Sequence, residues 1–122
     1  MKIKNFEEIE SWKRARQLSK KIYKITSTEK FSKDWELKEQ IRRAAISVMS
    51  NIAEGFDSSS KIEFARFLGI SRRSASEVQS QLYIALDQNY IDANDFNPLY
   101  KETEEIRKMI TGFIKYLKGL NS

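Results

Sequence analysis

The stretch SVMSNIAEGF (47–56) sets an amide, Asn51, and a carboxylate, Glu54, among apolar neighbours near the end of a helical pattern. A carboxylate does catalytic work only beside a nucleophile, a second carboxylate or a metal. The chain contains no histidine and no cysteine. Imidazole acid–base chemistry, thiolate nucleophiles and zinc sites built on those ligands are therefore absent, as are the Glu-x-x-His pairs of di-iron helical proteins. The expectation is no catalytic residue, no metal, no cofactor and no small-molecule substrate.

An architectural role suits the stretch better. Glu36, Gln40, Arg43, Ser47, Ser50, Asn51 and Glu54 trace one polar strip along the helix, and its later members are small enough for another backbone to approach closely. A carboxylate in the last turn opposes the helix dipole by about 0.3–1 kcal/mol. Glu54 is therefore expected to receive charge-assisted hydrogen bonds from a basic neighbour or from backbone donors at the start of the next helix. Gly55 is expected to end the helix as a left-handed C′ residue, completing a structural motif of Asn51, Glu54 and Gly55.

The second group with chemical potential is basic. Lys13, Arg14, Arg16, Lys20, Lys21 and Lys24 occupy one half of the first helix with no acid between them. Arg42, Arg43, Arg66, Arg72 and Arg73 extend the set, and Arg offers forked donors suited to phosphate. With 22 Lys and Arg against 17 Asp and Glu, the formal net charge is +5. One reading is an ordinary solvated face; the other is a phosphate-binding surface. The chain shows no RNP-type sheet motif, no Cys/His finger and no GXXG clamp. The long uninterrupted pattern around Ser71, Arg72 and Arg73 speaks against a helix-turn-helix. Binding, where it occurs, is expected to be electrostatic, weakly selective and steeply salt dependent, with RNA or a nucleic-acid-processing protein as partner. The alternative is a structural or protein-interaction module with no nucleic-acid role.

The elements that carry these residues read as helices. Only four Gly and one Pro interrupt a chain rich in Lys, Glu, Leu, Ile and Ala. Apolar residues recur at helical period over about 7–26, 34–54, 60–87 and 96–119, which predicts one all-α domain over 1–122, an antiparallel up-down-up-down four-helix bundle. Asn5 with Glu8, and Ser60 with Glu63, have the spacing of capping boxes. Asn97 before Pro98 resembles an N-cap followed by Pro at the first helical position. Gly69 falls in mid-helix off the apolar stripe, so a close neighbour is expected there. The fourth helix runs acidic first (Glu102, Glu104, Glu105) and basic later (Lys108, Lys115, Lys118), an order the helix dipole favours and that reads as local helix chemistry. Ile46, Ile70, Ile84, Met109, Tyr116 and Leu120 miss the seams, as do Phe31 and Trp35 in or beside a loop. They are expected to form a subunit interface, since closed homo-oligomers are the common form. No apolar run reaches transmembrane length and the first residues lack a signal-peptide core, so no membrane association and a cytoplasmic location are expected.

FEEIESWKRARQLSKKIY (6–23), ELKEQIRRAAISVMSNIAEGF (36–56) and EFARFLGISRRSASEVQSQLYIALDQNYI (63–91) resemble the four-helix-bundle family encoded in intervening sequences of bacterial 23S rRNA genes. SNIAEG followed by EFxRFL and a Ser-rich third helix is the most specific part. The chain differs in having FSK at 31–33, where the family has FP, and in lacking a Gly near Arg73. The resemblance implies a homopentamer, a ring of five bundles carrying about +25 formal charge, enough to attract polyanions at low salt. It also implies kinship with basic accessory variability proteins of retroelement reverse transcriptases, and a family without established enzymatic activity.

Overall fold

The computed structural model describes residues 2–119. A 3-10 turn at Phe6–Glu8 precedes five helices: α1 (Glu10–Thr26), α2 (Glu29–Ser32), α3 (Trp35–Phe56), α4 (Lys61–Asp87) and α5 (Ala93–Leu117). The fold is all-α, with no strand among the described residues. α1 packs on α3 and α5, and α4 packs on the same two helices; the α3–α4 pairing is the most extensive. Each neighbouring pair runs antiparallel. Ser19 meets Ala45 while Thr26 meets Arg42, and Arg14 meets Glu105 while Lys21 meets Glu102.

The core follows the helical period. Trp12, Ala15, Leu18 and Ile22 of α1, Ile41, Ala45, Val48 and Ile52 of α3, Leu68, Ala75, Val78 and Leu82 of α4, and Ile106 and Ile110 of α5 are buried together. Each fully buried large side chain contributes about 1.5–3 kcal/mol relative to exposure.

Several boundaries differ from those the sequence predicts. The first helix starts at Glu10 and not near Glu7, because Ile9 is extended (φ −75°, ψ 123°). The Glu8 carboxylate still accepts from the N–H groups of Asn5 (2.9 Å) and Lys4 (3.1 Å), but the turn it closes is the 3-10 turn. That detour buries Ile9 and sets Phe6 edge-on to Trp12 at 5.1 Å.

Gly55 does not end α3. It lies inside the helix, which continues to Phe56, and has no positive φ. Its glycine is required by proximity: a Cβ there would lie 2.8 Å from Phe64 Cδ1, 2.9 Å from Phe67 Cβ and 3.2 Å from the Phe64 carbonyl oxygen. Gly69, where a close neighbour was expected, has nothing within 4 Å of a built Cβ. Left-handed residues instead follow α4 and α5. Asn89 (φ 61°) and Gly119 (φ 70°) occupy the C′ positions. The N–H groups of Asn89 and Tyr90 donate to the carbonyls of Leu86 and Ala85, which is a Schellman motif.

α5 begins at Ala93, three residues before the expected start. Asp92 caps it, accepting from the Asp95 N–H at 3.0 Å, so Asn97 is not the cap and Pro98 sits within the helix. Pro98 cannot donate to the Asn94 carbonyl, and Asn94 is exposed, where solvent can take that acceptor. Phe31, expected at an interface, belongs to the core. The short α2 turns it inward, fully buried, against Tyr90 at 5.3 Å. Tyr90 also donates to Asp34 Oδ2 (2.9 Å), while Asp34 Oδ1 caps α3 through the Leu37 N–H (3.0 Å). This bond holds the Tyr90 hydroxyl above its ordinary pKa, since a neutral phenol is the donor.

Candidate nucleic-acid interface

The residues of α1 divide by direction. Lys13, Lys20 and Lys24 lie seven and four residues apart, so they share one outward line. All three are exposed, as is Arg16, and none of the four makes an ion pair among the described residues. The Arg16 guanidinium lies 6.0 Å from the Trp12 ring centroid. Toward α5 the situation changes. Arg14 donates to Glu105 at 2.8 Å and Lys21 to Glu102 at 2.7 Å. The acids of α5 thus do more than complement their own helix dipole, as the sequence suggested; Glu102 and Glu105 neutralise the adjoining edge of α1. The Glu102 side chain is only 12% exposed.

Toward α3 the partner is a further base. Arg42 Nε donates to Thr26 Oγ1 at 2.8 Å, and its Nη2 donates to Ser27 Oγ at 3.1 Å. Its guanidinium lies 4.3 Å over the Tyr23 ring. All these partners are neutral, so Arg42 keeps its full charge on the α1–α3 flank.

The remaining arginines are dispersed. Arg66 forks onto Glu63 and covers Phe67 at 4.7 Å. The shared hydrogen bond lowers the Glu63 pKa and raises that of Arg66. Arg72 reaches Thr111 on α5 at 3.3 Å. Arg43 and Arg73 are exposed on α3 and α4, away from the α1 line, without ion pairs among the described residues. The eleven predicted basic residues therefore form no single surface. The structure groups Lys13, Arg16, Lys20, Lys24 and Arg42, and it occupies Arg14, Lys21 and Arg66 with carboxylates.

The polar strip of α3 has a different fate. Asn51 Nδ2 donates to the Ser47 carbonyl (2.9 Å) and to Ser47 Oγ (3.0 Å). Ser74 Oγ of α4 donates to Ser47 Oγ at 2.7 Å, and Ser71 Oγ to the Val48 carbonyl at 2.6 Å. These short side chains and Gly55 admit α4 at close range. Glu54 is the exception to the expected design. It is exposed and makes no hydrogen bond or ion pair among the described residues. Its unfavourable place at the helix end is screened by solvent, so no compensating donor is needed.

Of the predicted interface residues, Ile46, Ile84 and Tyr116 are exposed, whereas Ile70 and Met109 are half-buried; Leu120 lies outside the described residues. Trp35, also expected at that interface, is exposed, and Tyr23 and Tyr83 are exposed aromatics outside the expected set. Trp35, at the first position of α3, is 66% exposed, and Tyr23, beside Lys24, is 42% exposed. Tyr23 was missed in the sequence; its place off the apolar stripe and between lysines was the available signal.

A cleft where α1 ends beside the start of α5 has Ile25, Ile91 and Leu99 in its wall, with Lys21, Lys24, Asp95 and Glu102 at its edge. Both signs of charge are present there. No group of three potential metal ligands occurs among the described residues, and no helix among them is long and apolar enough to cross a membrane.

A family model described as 23S rRNA-intervening sequence protein matches residues 7–112. The chain belongs to this family. Among solved structures, it is similar to a crystal structure from Bacteroides thetaiotaomicron, a protein of unknown function from the S23 ribosomal protein family, with a TM-score of 0.79 and 24% identity over 86% of this chain and 98% of that one. At that identity the likeness speaks for the fold. No curated protein matches the chain. For this intervening-sequence family protein, the match spans α1, α3, α4 and most of α5, and so includes every grouped basic residue of the α1–α3 flank.

Proposed function

We propose that this intervening-sequence family protein is a non-enzymatic, weakly specific RNA-binding adaptor that acts in the cytoplasm, a four-helix-bundle subunit of a homopentameric ring. The observation that carries the RNA reading is the line of Lys13, Lys20 and Lys24, joined by Arg16 and Arg42, without a carboxylate partner among the described residues. Uncompensated charge of one sign along a rigid helix attracts a phosphate backbone and selects little sequence. The exposed Ile84 and Tyr116 support assembly, because they lie outside the core with no covering element among the described residues.

The test is an anisotropy titration of structured RNA at two salt concentrations with the assembled protein. Binding at low salt that falls steeply as salt rises is expected; no binding at low salt by folded protein overturns the reading. Sedimentation of the same sample checks the ring, which requires five times the 14.3 kDa chain mass.

A second reading, an assembly module without a nucleic-acid role, is favoured by the engagement of Arg14, Lys21 and Arg66 in ion pairs. It predicts unchanged behaviour in any RNA assay when the free lysines are removed.

A further inference from the structure

The α1–α3 flank carries more than charge. Nothing in helix capping asks for an aromatic residue at the first position of α3, where Asp34 already caps the backbone. Trp35 nevertheless stands there, the most exposed aromatic side chain among the described residues at 66%. Seven residues on, Arg42 returns to the same side of α3, about 10 Å along the axis. Its guanidinium carbon lies 4.3 Å from the Tyr23 ring centroid, and the group is bonded only to neutral oxygens. Lys20 and Lys24 flank Tyr23 on α1, and Lys38 lies one turn from Trp35 on α3. Glu39 is the one carboxylate on this side of α3.

We infer that this flank takes single-stranded RNA, with unpaired bases stacking on Trp35 and on the Tyr23–Arg42 pair while the lysines hold the phosphates. The inference rests on the RNA-binding reading above and specifies its ligand. A duplex hides the faces of its bases, so it can use the lysines but not the rings. An unpaired strand can use both, and base–aromatic stacking tolerates any sequence because every base has a π-face. An arginine plane already seated on an aromatic ring extends the stacking surface and adds cation–π attraction. The separation of roughly 10 Å between Trp35 and Arg42 along α3 leaves space for a spacer nucleotide on an extended strand.

The test uses the full assembled chain, freed of nucleic acid, with an unstructured RNA oligonucleotide and the same oligonucleotide annealed to its complement, at low salt. The single strand is expected to bind about tenfold more tightly than the duplex. Trp12 is buried, so a change in tryptophan emission on binding reports Trp35. Trp35→Ala should lower single-strand affinity about tenfold and leave duplex affinity unchanged, and Trp35→Phe should restore most of the loss. Equal binding of the two RNAs, both removed by reversing Lys13, Lys20 and Lys24, overturns this inference and leaves the basic-surface reading standing. A Trp35→Ala protein that binds both RNAs like the original also overturns it. No binding of either RNA overturns both readings.

Discussion

The α3–α4 seam and the α1–α5 seam solve the same packing problem with opposite materials. Between α3 and α4 small residues let the helices close on larger ones. Gly55 lies against Phe64 and Phe67, and the hydroxyls of Ser71 and Ser74 bond inside the joint. Between α1 and α5 the edge is long and charged, closed by Arg14–Glu105 and Lys21–Glu102. The first seam depends on backbone proximity and on hydrogen bonds between uncharged groups, which salt is expected to screen little. The second depends on partly exposed ion pairs, worth about 0–1 kcal/mol each. The difference teaches where charge is left for a partner: α5 cancels one edge of α1, whereas α3 adds Arg42 to the other.

The largest expected effect breaks or confirms that asymmetry. Joint reversal of Lys13, Lys20 and Lys24 to Glu should lower RNA affinity about a hundredfold or more at low salt, read by anisotropy, because several phosphate contacts are lost together. Arg14→Gln, on the neutralised edge, should change it by only a few fold. Glu102→Gln should instead raise affinity by a few fold, as Lys21 is released. Equal losses from the two edges of α1 would remove the distinction.

Next in size are the glycines. Gly55→Ala places a methyl group within 3 Å of Phe64 and Phe67 and should cost about 1–3 kcal/mol by denaturant unfolding. Gly69→Ala, with no atom within 4 Å and a helical backbone, should be neutral or stabilise by up to about 1 kcal/mol. A destabilised Gly69→Ala subunit whose assembly also fails would move the close approach from within the chain to between chains.

The smallest effect is acid sensitivity at the flank of α5 that faces α4. Hydrogen bonds from Gln79 (3.0 Å) and Arg107 (2.7 Å) hold the Glu104 carboxyl below its ordinary value of 4.5. A group whose pKa falls on folding contributes its full stability above the unfolded value and loses it as pH drops through the folded one. Thermal unfolding from pH 6 down to pH 3 should therefore show a shallower loss in Glu104→Gln than in the original protein.

Periodicity and capping chemistry made much of the helical body legible. Trp12, Ala15, Leu18 and Ile22 fall on one stripe and are all buried, and Ser60 accepts from the Glu63 N–H as its spacing implies. These are local relations, set within a turn or two of the same helix. Phe31 was misread because four residues suffice for α2, too few for a period to show. Gly55 was misread because a glycine near a helix end has two uses, a left-handed turn or a close contact, and only the position of Phe64 distinguishes them. Pro98 was misread because Asp92 offered an earlier cap than Asn97.

The candidate interface was legible as a set of lysines and arginines but not as a surface. By itself the sequence determined that the chain is all-helical, that histidine and cysteine chemistry is absent, and that one half of α1 is basic, since composition and the helical repeat suffice for each. The tertiary structure alone decided which of those charges stay free, because the carboxylates that cancel Arg14 and Lys21 lie 91 and 81 residues away in the chain. Helix register across a seam, which no local pattern encodes, brings Glu105 and Glu102 to them and leaves Lys13, Lys20 and Lys24 facing solvent.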